Sequence, residues 1–331
     1  MKNMINLTTK YMGFQLKNPL IVASSGLTKS PEKIKEFEEK GAAAVVLKSL
    51  FEEQIMMDTN HIMDYPDSYN NYPEALDYIK NFTKHNSVEE YLKLIKDTKK
   101  EVSIPVFASI NCVSLNEWIN IARDIEKAGA DALELNIFIM PSDLNTTGSE
   151  HEKMYFDIIE KIRKTVKIPV ALKIGYYFSG LINLLQKFSW TGISALVLFN
   201  RFYTPDINID SLRLQATNLL STPAEMGNSL RWIALLSDKA GCDISASTGI
   251  HDASGVIKQL LVGATTAQLC SALYMHGADR IQEILEDLTK WMEQKNYNNI
   301  SDFRGKLSLK KAENPILYHR VQYMKHLSDT D

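Results

Sequence analysis

The chain has 331 residues, 45% of them hydrophobic, with 37 Lys and Arg against 40 Asp and Glu and a formal charge of −3. That balance excludes a fibrous or disordered protein, and the lack of a cationic excess excludes a surface built to neutralise nucleic-acid phosphates. No segment, the N-terminal MKNMINLTTKYMGF included, approaches the ~18 apolar residues of a membrane span or holds a signal-peptide run, so a cytosolic protein without membrane or nucleic-acid partners is expected.

Residues 5–16, INLTTKYMGFQL, alternate around Gly13 and predict a hairpin. PLIVASS at 19–25 and AAAVVLK at 42–48 follow, separated by the helical pattern SPEKIKEFEEKG. Residues 51–86 read as a long insertion containing Tyr65, Pro66, Tyr69, Asn70, Asn71, Tyr72 and Pro73, of the kind that forms a lid or binding loop. IPVFASI at 104–110, DALELNI at 131–137, IPVALKI at 168–174, ISALVLFN at 193–200, CDISAST at 242–248 and TAQLCSA at 266–272 complete eight runs rich in Val, Ile and Ala. Each is nearly continuous in hydrophobicity, as strands buried on both faces of a parallel sheet must be. Helical patterns lie between them: NEWINIARDIEKAGA, EKMYFDIIEKIRKTV, SGLINLLQKFSWTG, a segment near 223–240 and DASGVIKQLLVGA. A closing helix and short extension, IQEILEDLTKWMEQKNYNNISDFRG, follow. KGAAAVVLK, KAGADALEL and VGATTAQL repeat one phrase, a helix closing on Gly and entering the next strand. Eight such units predict a single (β/α)8 TIM barrel over residues 1–331, with the hairpin covering its lower end.

Sites in such barrels sit at the C-terminal ends of the strands. There the sequence offers Ser24, Ser25 and Gly26, then Lys48 and Ser49, Asn111, Asn136, Lys173, Asn200, Thr248 and Gly249, and Cys270 and Ser271. Lys48 and Lys173 suit a ligand with anionic or electron-rich oxygens, or are strand-end lysines reaching solvent. Three asparagines suit an amide-bearing heterocycle, although each alone would serve equally as a turn residue. STGIHD at 247–252 and CSALYMHG at 270–277 fall where barrels bind phosphate on backbone N–H groups, which implies a nucleotide-type cofactor. Cys112, Cys242 and Cys270 show no CxxC spacing and the seven histidines no HxH or HxxxH pair, so reduced thiols and no metal are expected.

These residues carry a resemblance. From KNPLIVASSG through PVFASI, EKAGADALELN, IPVALKI, STGI and LLVGATTAQLCSALY to DFRG, the chain resembles the dihydroorotate dehydrogenases, FMN-dependent barrels of pyrimidine synthesis, and in particular their soluble branch. The resemblance implies FMN held by Ser24, Ser25, Gly26, Lys48, Ser49, Asn111, Asn136, Lys173, Thr248, Gly249, Cys270 and Ser271. It implies a substrate met by Lys48, Asn71, Asn136 and Asn200, and a homodimer; Arg201 departs from the small residue usual after that Asn and puts a cation in the substrate space, where pairing with a substrate carboxylate is expected. It also assigns the proton-accepting Cys or Ser of the family to a loop position that is Ile139 here, beside Phe138; Ser142, Asp143 and Cys112 are the candidate substitutes. Alternatives that remain open are an FMN-binding barrel acting as a binding or regulatory protein, and a flavin-free phosphate-binding lyase or synthase.

Overall fold

The structure, a computed structural model, describes residues 5–51, 73–111, 118–202, 204–216 and 219–320. Its main sheet contains β1 (Leu20–Val22), β2 (Ala44–Val46), β3 (Val106–Asn111), β4 (Ala132–Ile137), β5 (Val170–Ile174), β6 (Ala195–Leu198), β7 (Asp243–Ala246) and β8 (Thr266–Leu269), with a short strand Leu50–Phe51 beside β3. Each of the eight pairs in parallel with the next, and β8 pairs with β1 through Ala267 and Leu20, so the ring closes. This is the (β/α)8 barrel that the apolar runs predict.

Alternation along the strands divides the core. Ile21, Ala44, Val46, Phe107, Ala132, Ala171, Ala195 and Val197 share an inner cluster with Tyr11, Met12 and Leu16. Four small alanines would leave the barrel under-filled, and interiors tolerate few voids. The hairpin of Thr9–Tyr11 and Phe14–Leu16 supplies the missing volume, with Tyr11 and Phe107 ring centroids 6.2 Å apart. It turns through Met12 (φ 52) and Gly13 (φ 91), and Met12 N–H donates to Asp243 Oδ2 at 2.8 Å, at the start of β7. The hairpin therefore plugs the N-terminal end, as expected, and leaves the C-terminal end for chemistry.

The opposite strand faces, including Val45, Val106, Leu133, Leu172 and Leu196, belong to the larger outer cluster with the helices. These are α1 (Pro31–Glu39), α2 (Pro73–Glu101), α3 (Trp118–Lys127), α4 (Gly148–Thr165), α5 (Leu181–Ser189), α6 (Met226–Leu236), α7 (Ala253–Val262), α8 (Ser271–His276) and α9 (Asp279–Gln294). Local chemistry sets their ends. Ser30 Oγ accepts from Lys33 N–H ahead of Pro31, and Asp252 Oδ1 accepts from Gly255 N–H. α7 stops on Gly263, whose φ of 115 suits a residue without a side chain.

Two elements differ from the sequence expectation. The 29-residue α2 begins within the range 51–86 assigned to the insertion, and buried Thr98 interrupts the apolar stripe of Tyr91 and Ile95 that would have announced it. Residues 52–72, with Asn71, lie outside the described residues. Between β6 and α6 an antiparallel hairpin, Pro205–Asn208 with Arg213–Ala216, was not signalled. It has no glycine turn; Asn208 Oδ1 instead accepts from Asp210 and Ser211 N–H at 3.1 and 2.9 Å.

Candidate functional site

Opposite the hairpin plug, the strand ends surround a cavity of about 340 Å³, within the size range of small-molecule sites. Ser24, Lys173, Asn200, Arg201, Thr248, Gly249, Cys270 and Ser271 all line it. Strand register explains part of this convergence: Asn111, Asn136 and Lys173 are mutual partners on β3, β4 and β5 and so stand at one level. Asn200 Nδ2 donates to Asn136 Oδ1 at 2.5 Å, joining β6 to that row. Asn111 Oδ1 is buried with no hydrogen-bond partner among the described residues.

Beneath this level lies a polar group that the sequence reading missed. Lys173 Nζ donates to Gln268 Oε1 at 3.4 Å and stands 3.6 Å from Glu134 Oε1, while Gln268 Nε2 donates to Glu134 Oε2 at 2.8 Å. Glu134 is two residues before Asn136 on β4, so it shares the inward face, and a carboxylate inside an otherwise apolar strand was the available signal.

The loops after β7 and β8 make the second wall. Thr248 (φ 75) and Gly249 (φ 77) are consecutive left-handed residues. A side chain at Gly249 would collide with the Met226 backbone, whose Cα would lie 2.9 Å from a Cβ. Thr248 Oγ1 donates to Phe199 O at 3.0 Å, which fixes the loop against β6. Ser221 Oγ accepts from Gly249 N–H at 3.3 Å and donates to Ser271 Oγ at 2.9 Å. His251 Nε2 lies 3.3 Å from the same Ser221 oxygen, and burial holds this imidazole below its ordinary pKa. The wall is thus a cluster of small hydroxyl and backbone donors, suited to a phosphate-bearing cofactor.

On the β1 side, Ser24, Ser49 and Ser109 form a hydroxyl chain with Oγ separations of 3.0 and 2.6 Å. Ser25 caps the short turn Gly26–Thr28 by accepting from Leu27 N–H at 3.2 Å. A Cβ on Gly26 would come 2.8 Å from the Tyr274 hydroxyl, so the loops after β1 and β8 approach closely there. Burial pushes the Cys270 thiol up, against the pull of Lys173 and Ser25, and keeps it protonated. Lys48 is half-buried just beyond β2, its N–H donating to Thr28 O at 3.3 Å.

The loops after β4, β5 and β6 are different in kind. Phe202 packs against Phe138 at 4.4 Å, Tyr176 at 5.0 Å and Tyr177 at 3.9 Å between ring centroids. Gly175 permits this, since a Cβ there would come 2.8 Å from both Phe138 and Phe202. Ile139 is half-buried, its N–H donating to Tyr155 Oη at 3.3 Å. Ser142 and Asp143 are exposed and do not line the cavity. Asp143 is held below the ordinary carboxylate range by Thr146 Oγ1 at 2.6 Å and by Asn145 N–H at 3.0 Å, so both its oxygens serve a turn ahead of α4. Cys112 lies outside the described residues. Arg201, expected to face a substrate carboxylate, lines the cavity and is paired there with Glu225 at 2.8 Å and with Leu219 O at 3.1 Å.

Fold and cavity together define a (β/α)8-barrel protein with a polar-lined cavity at the strand C-termini. The family model for dihydroorotate dehydrogenase matches residues 6–292, and the chain belongs to that family. It is 28% identical over 310 residues to the dihydroorotate dehydrogenase B (NAD(+)) catalytic subunit of Thermoplasma volcanium, covering 91% of this chain and 98% of the relative. It is 24% identical over 297 residues to the protein of the same name from Methanocaldococcus jannaschii, covering 88% of this chain and 94% of the relative. Against dihydroorotate dehydrogenase A (fumarate) of Lactococcus lactis subsp. lactis, identity is 24% over 321 residues, covering 91% and 99%. No helix among the described residues is long and apolar enough to cross a membrane.

Proposed function

We propose that the cavity holds FMN and that the protein is an FMN-dependent oxidoreductase of the dihydroorotate dehydrogenase type, moving a hydride between flavin and dihydroorotate or a related cyclic amide. The observation that carries this reading is Lys173, a buried cation at the end of β5 that faces one cavity with the donor-rich loops after β7 and β8. The residues fit the group on two further counts. Asn111 Oδ1 is a buried acceptor without a partner among the described residues. Gly249 leaves no room for a side chain against the Met226 backbone, so backbone approaches closely at that wall.

Lys173, Asn111, Asn136, Ser24 and Ser49 would hold the ring, and Ser25, Gly26, Thr248, Gly249, Cys270 and Ser271 the ring edge and phosphate. Bound there, FMN would supply the hydride acceptor that no side chain provides. Lys48, Asn71, Asn136 and Asn200 would orient a cyclic amide through neutral donors and acceptors and one cation. Phe138, Tyr176, Tyr177 and Phe202 would keep water from the reacting face. Proton removal is the weak link: Ile139 and Phe138 occupy the family's base position and accept no proton, and loss of a positioned base costs ~10²–10⁴ in rate. A cytosolic homodimer completes this reading.

That apolar pair favours a second reading, an FMN-binding barrel without turnover that serves as a binding or regulatory protein. Anaerobic mixing of the purified yellow protein with dihydroorotate separates the two. Bleaching of the visible flavin band within seconds supports the enzyme; an unchanged spectrum with dihydroorotate and with other dihydropyrimidines supports the binder. A colourless protein that takes up no added FMN leaves only the phosphate-binding lyase or synthase.

A further inference from the structure

Lys173, Glu134 and Gln268 are 8%, 2% and 3% exposed and stand together inside the barrel. Gln268 bridges the two charges: its amide N–H donates to Glu134 Oε2 at 2.8 Å, which turns its carbonyl oxygen toward Lys173 Nζ at 3.4 Å. Glu134 Oε1 has no hydrogen-bond partner among the described residues and lies 3.6 Å from the same ammonium. A carboxylate taken this far from water is costly unless a cation compensates it, and among the described residues Lys173 is the cation on it. An ammonium carries three donors. Here one makes a long hydrogen bond, one faces a carboxylate oxygen beyond hydrogen-bond distance, and Lys173 itself lines the cavity. The pair is therefore loosely closed on its protein side and open toward a ligand.

Charge effects in such an interior are weakly screened. A cation at the cavity wall favours electrons entering a bound ring, and a carboxylate behind it opposes them. We propose that Glu134 is the positioning residue for Lys173: through Gln268 it fixes the ammonium at the cavity wall, and its charge offsets that ammonium, so that Glu134 sets the midpoint potential of the bound flavin. This rests on the assignment of the cavity to FMN. Glu134 is not among the residues lining the cavity, so it acts through its neighbours.

The test uses the full chain saturated with FMN, as wild type, E134Q, E134D, K173M and the double variant E134Q/K173M. FMN affinity is read by fluorescence titration, and the midpoint potential by anaerobic titration against indicator dyes. E134Q is expected to move the potential positive and K173M to move it negative. In the K173M background E134Q is expected to move it much less, because the two charges act as a unit. E134D, which withdraws the carboxylate by about one methylene, is expected to give a smaller positive shift, and it carries the test if E134Q fails to fold. A potential unmoved by E134Q or, where E134Q does not fold, by E134D overturns the inference, as does an E134Q shift of equal size in both backgrounds. Failure of wild type to bind FMN is a separate result, seen before any variant is compared, and it overturns the assignment of the cavity itself.

Discussion

Around the ends of β7, β8 and β1 the barrel mouth presents Thr248, Gly249, Cys270, Ser271 and Ser24, whereas around the ends of β4, β5 and β6 it presents Phe138, Tyr176, Tyr177 and Phe202. The first half is small and rich in donors, its backbone held in left-handed turns that admit close approach. The loops of the second half are largely aromatic; this half also holds Lys173, which lines the cavity from the end of β5, and Arg201, which is paired with Glu225. On the proposed reading, the loops of the first half hold the cofactor phosphate, and the loops of the second, beyond Lys173 and Asn136 at the strand ends, face the substrate. A chain can keep the first while altering the second, because loops vary independently on a rigid scaffold.

Substitutions that act on one half and spare the other test this division. Ile139→Ser places a hydroxyl at the position proposed above for the family's base; stopped-flow mixing with dihydroorotate should show flavin reduction faster than wild type by about 10², with FMN affinity unchanged. Equal rates would show that another group already takes the proton. On the opposite wall, Gly249→Ala places a side chain against the Met226 backbone at φ 77. Strain of about 1–3 kcal/mol is expected, seen as a melting temperature several degrees lower and FMN lost on gel filtration. Lys173→Met should weaken FMN by roughly 10- to 150-fold in fluorescence titration, the worth of a hydrogen bond to a charged group.

Two smaller effects concern the aromatic side. Phe202→Ala should cost about 0.5–1.5 kcal/mol beyond lost area, read by urea unfolding, and leave FMN affinity within error. A fall in FMN affinity of tenfold or more would break the separation of the halves. The Arg201–Glu225 pair should contribute at most about 1 kcal/mol, since both side chains are partly exposed. Burial pushes the Glu225 carboxyl up, but hydrogen bonds from Arg201 and Thr222 N–H outweigh it and hold it low. Its stabilisation is therefore present above the unfolded carboxylate value of about 4.3 and lost as pH falls through the lower folded value. The stability gap between wild type and Arg201→Ala should be constant near neutrality and close below about pH 4.

The eight strands were legible because each is an apolar run bounded by Gly, Asp or Pro, and a closed parallel barrel buries both faces of every strand. Lys173 and the asparagines were legible because polar side chains at the ends of such runs have one place to go. Gln268 was not, since a single amide in TAQLCSA gives no hint that it bridges Glu134 and Lys173 across the barrel. α2 was obscured by Thr98 on its buried face. The hairpin after β6 was obscured by its exposed Ile207 and Leu214, which face each other across the strands without a core beneath them. The pairing of Arg201 with Glu225, 24 positions away, belongs to tertiary structure alone.

The cofactor assignment is the claim on which the rest depends, and the flavin content of the purified chain tests it most directly. Heat release and spectrophotometric counting, after reconstitution with excess FMN and gel filtration, should give about one FMN per chain in the wild type. A protein that emerges colourless, with the cavity residues intact and the barrel folded by circular dichroism, would contradict the account.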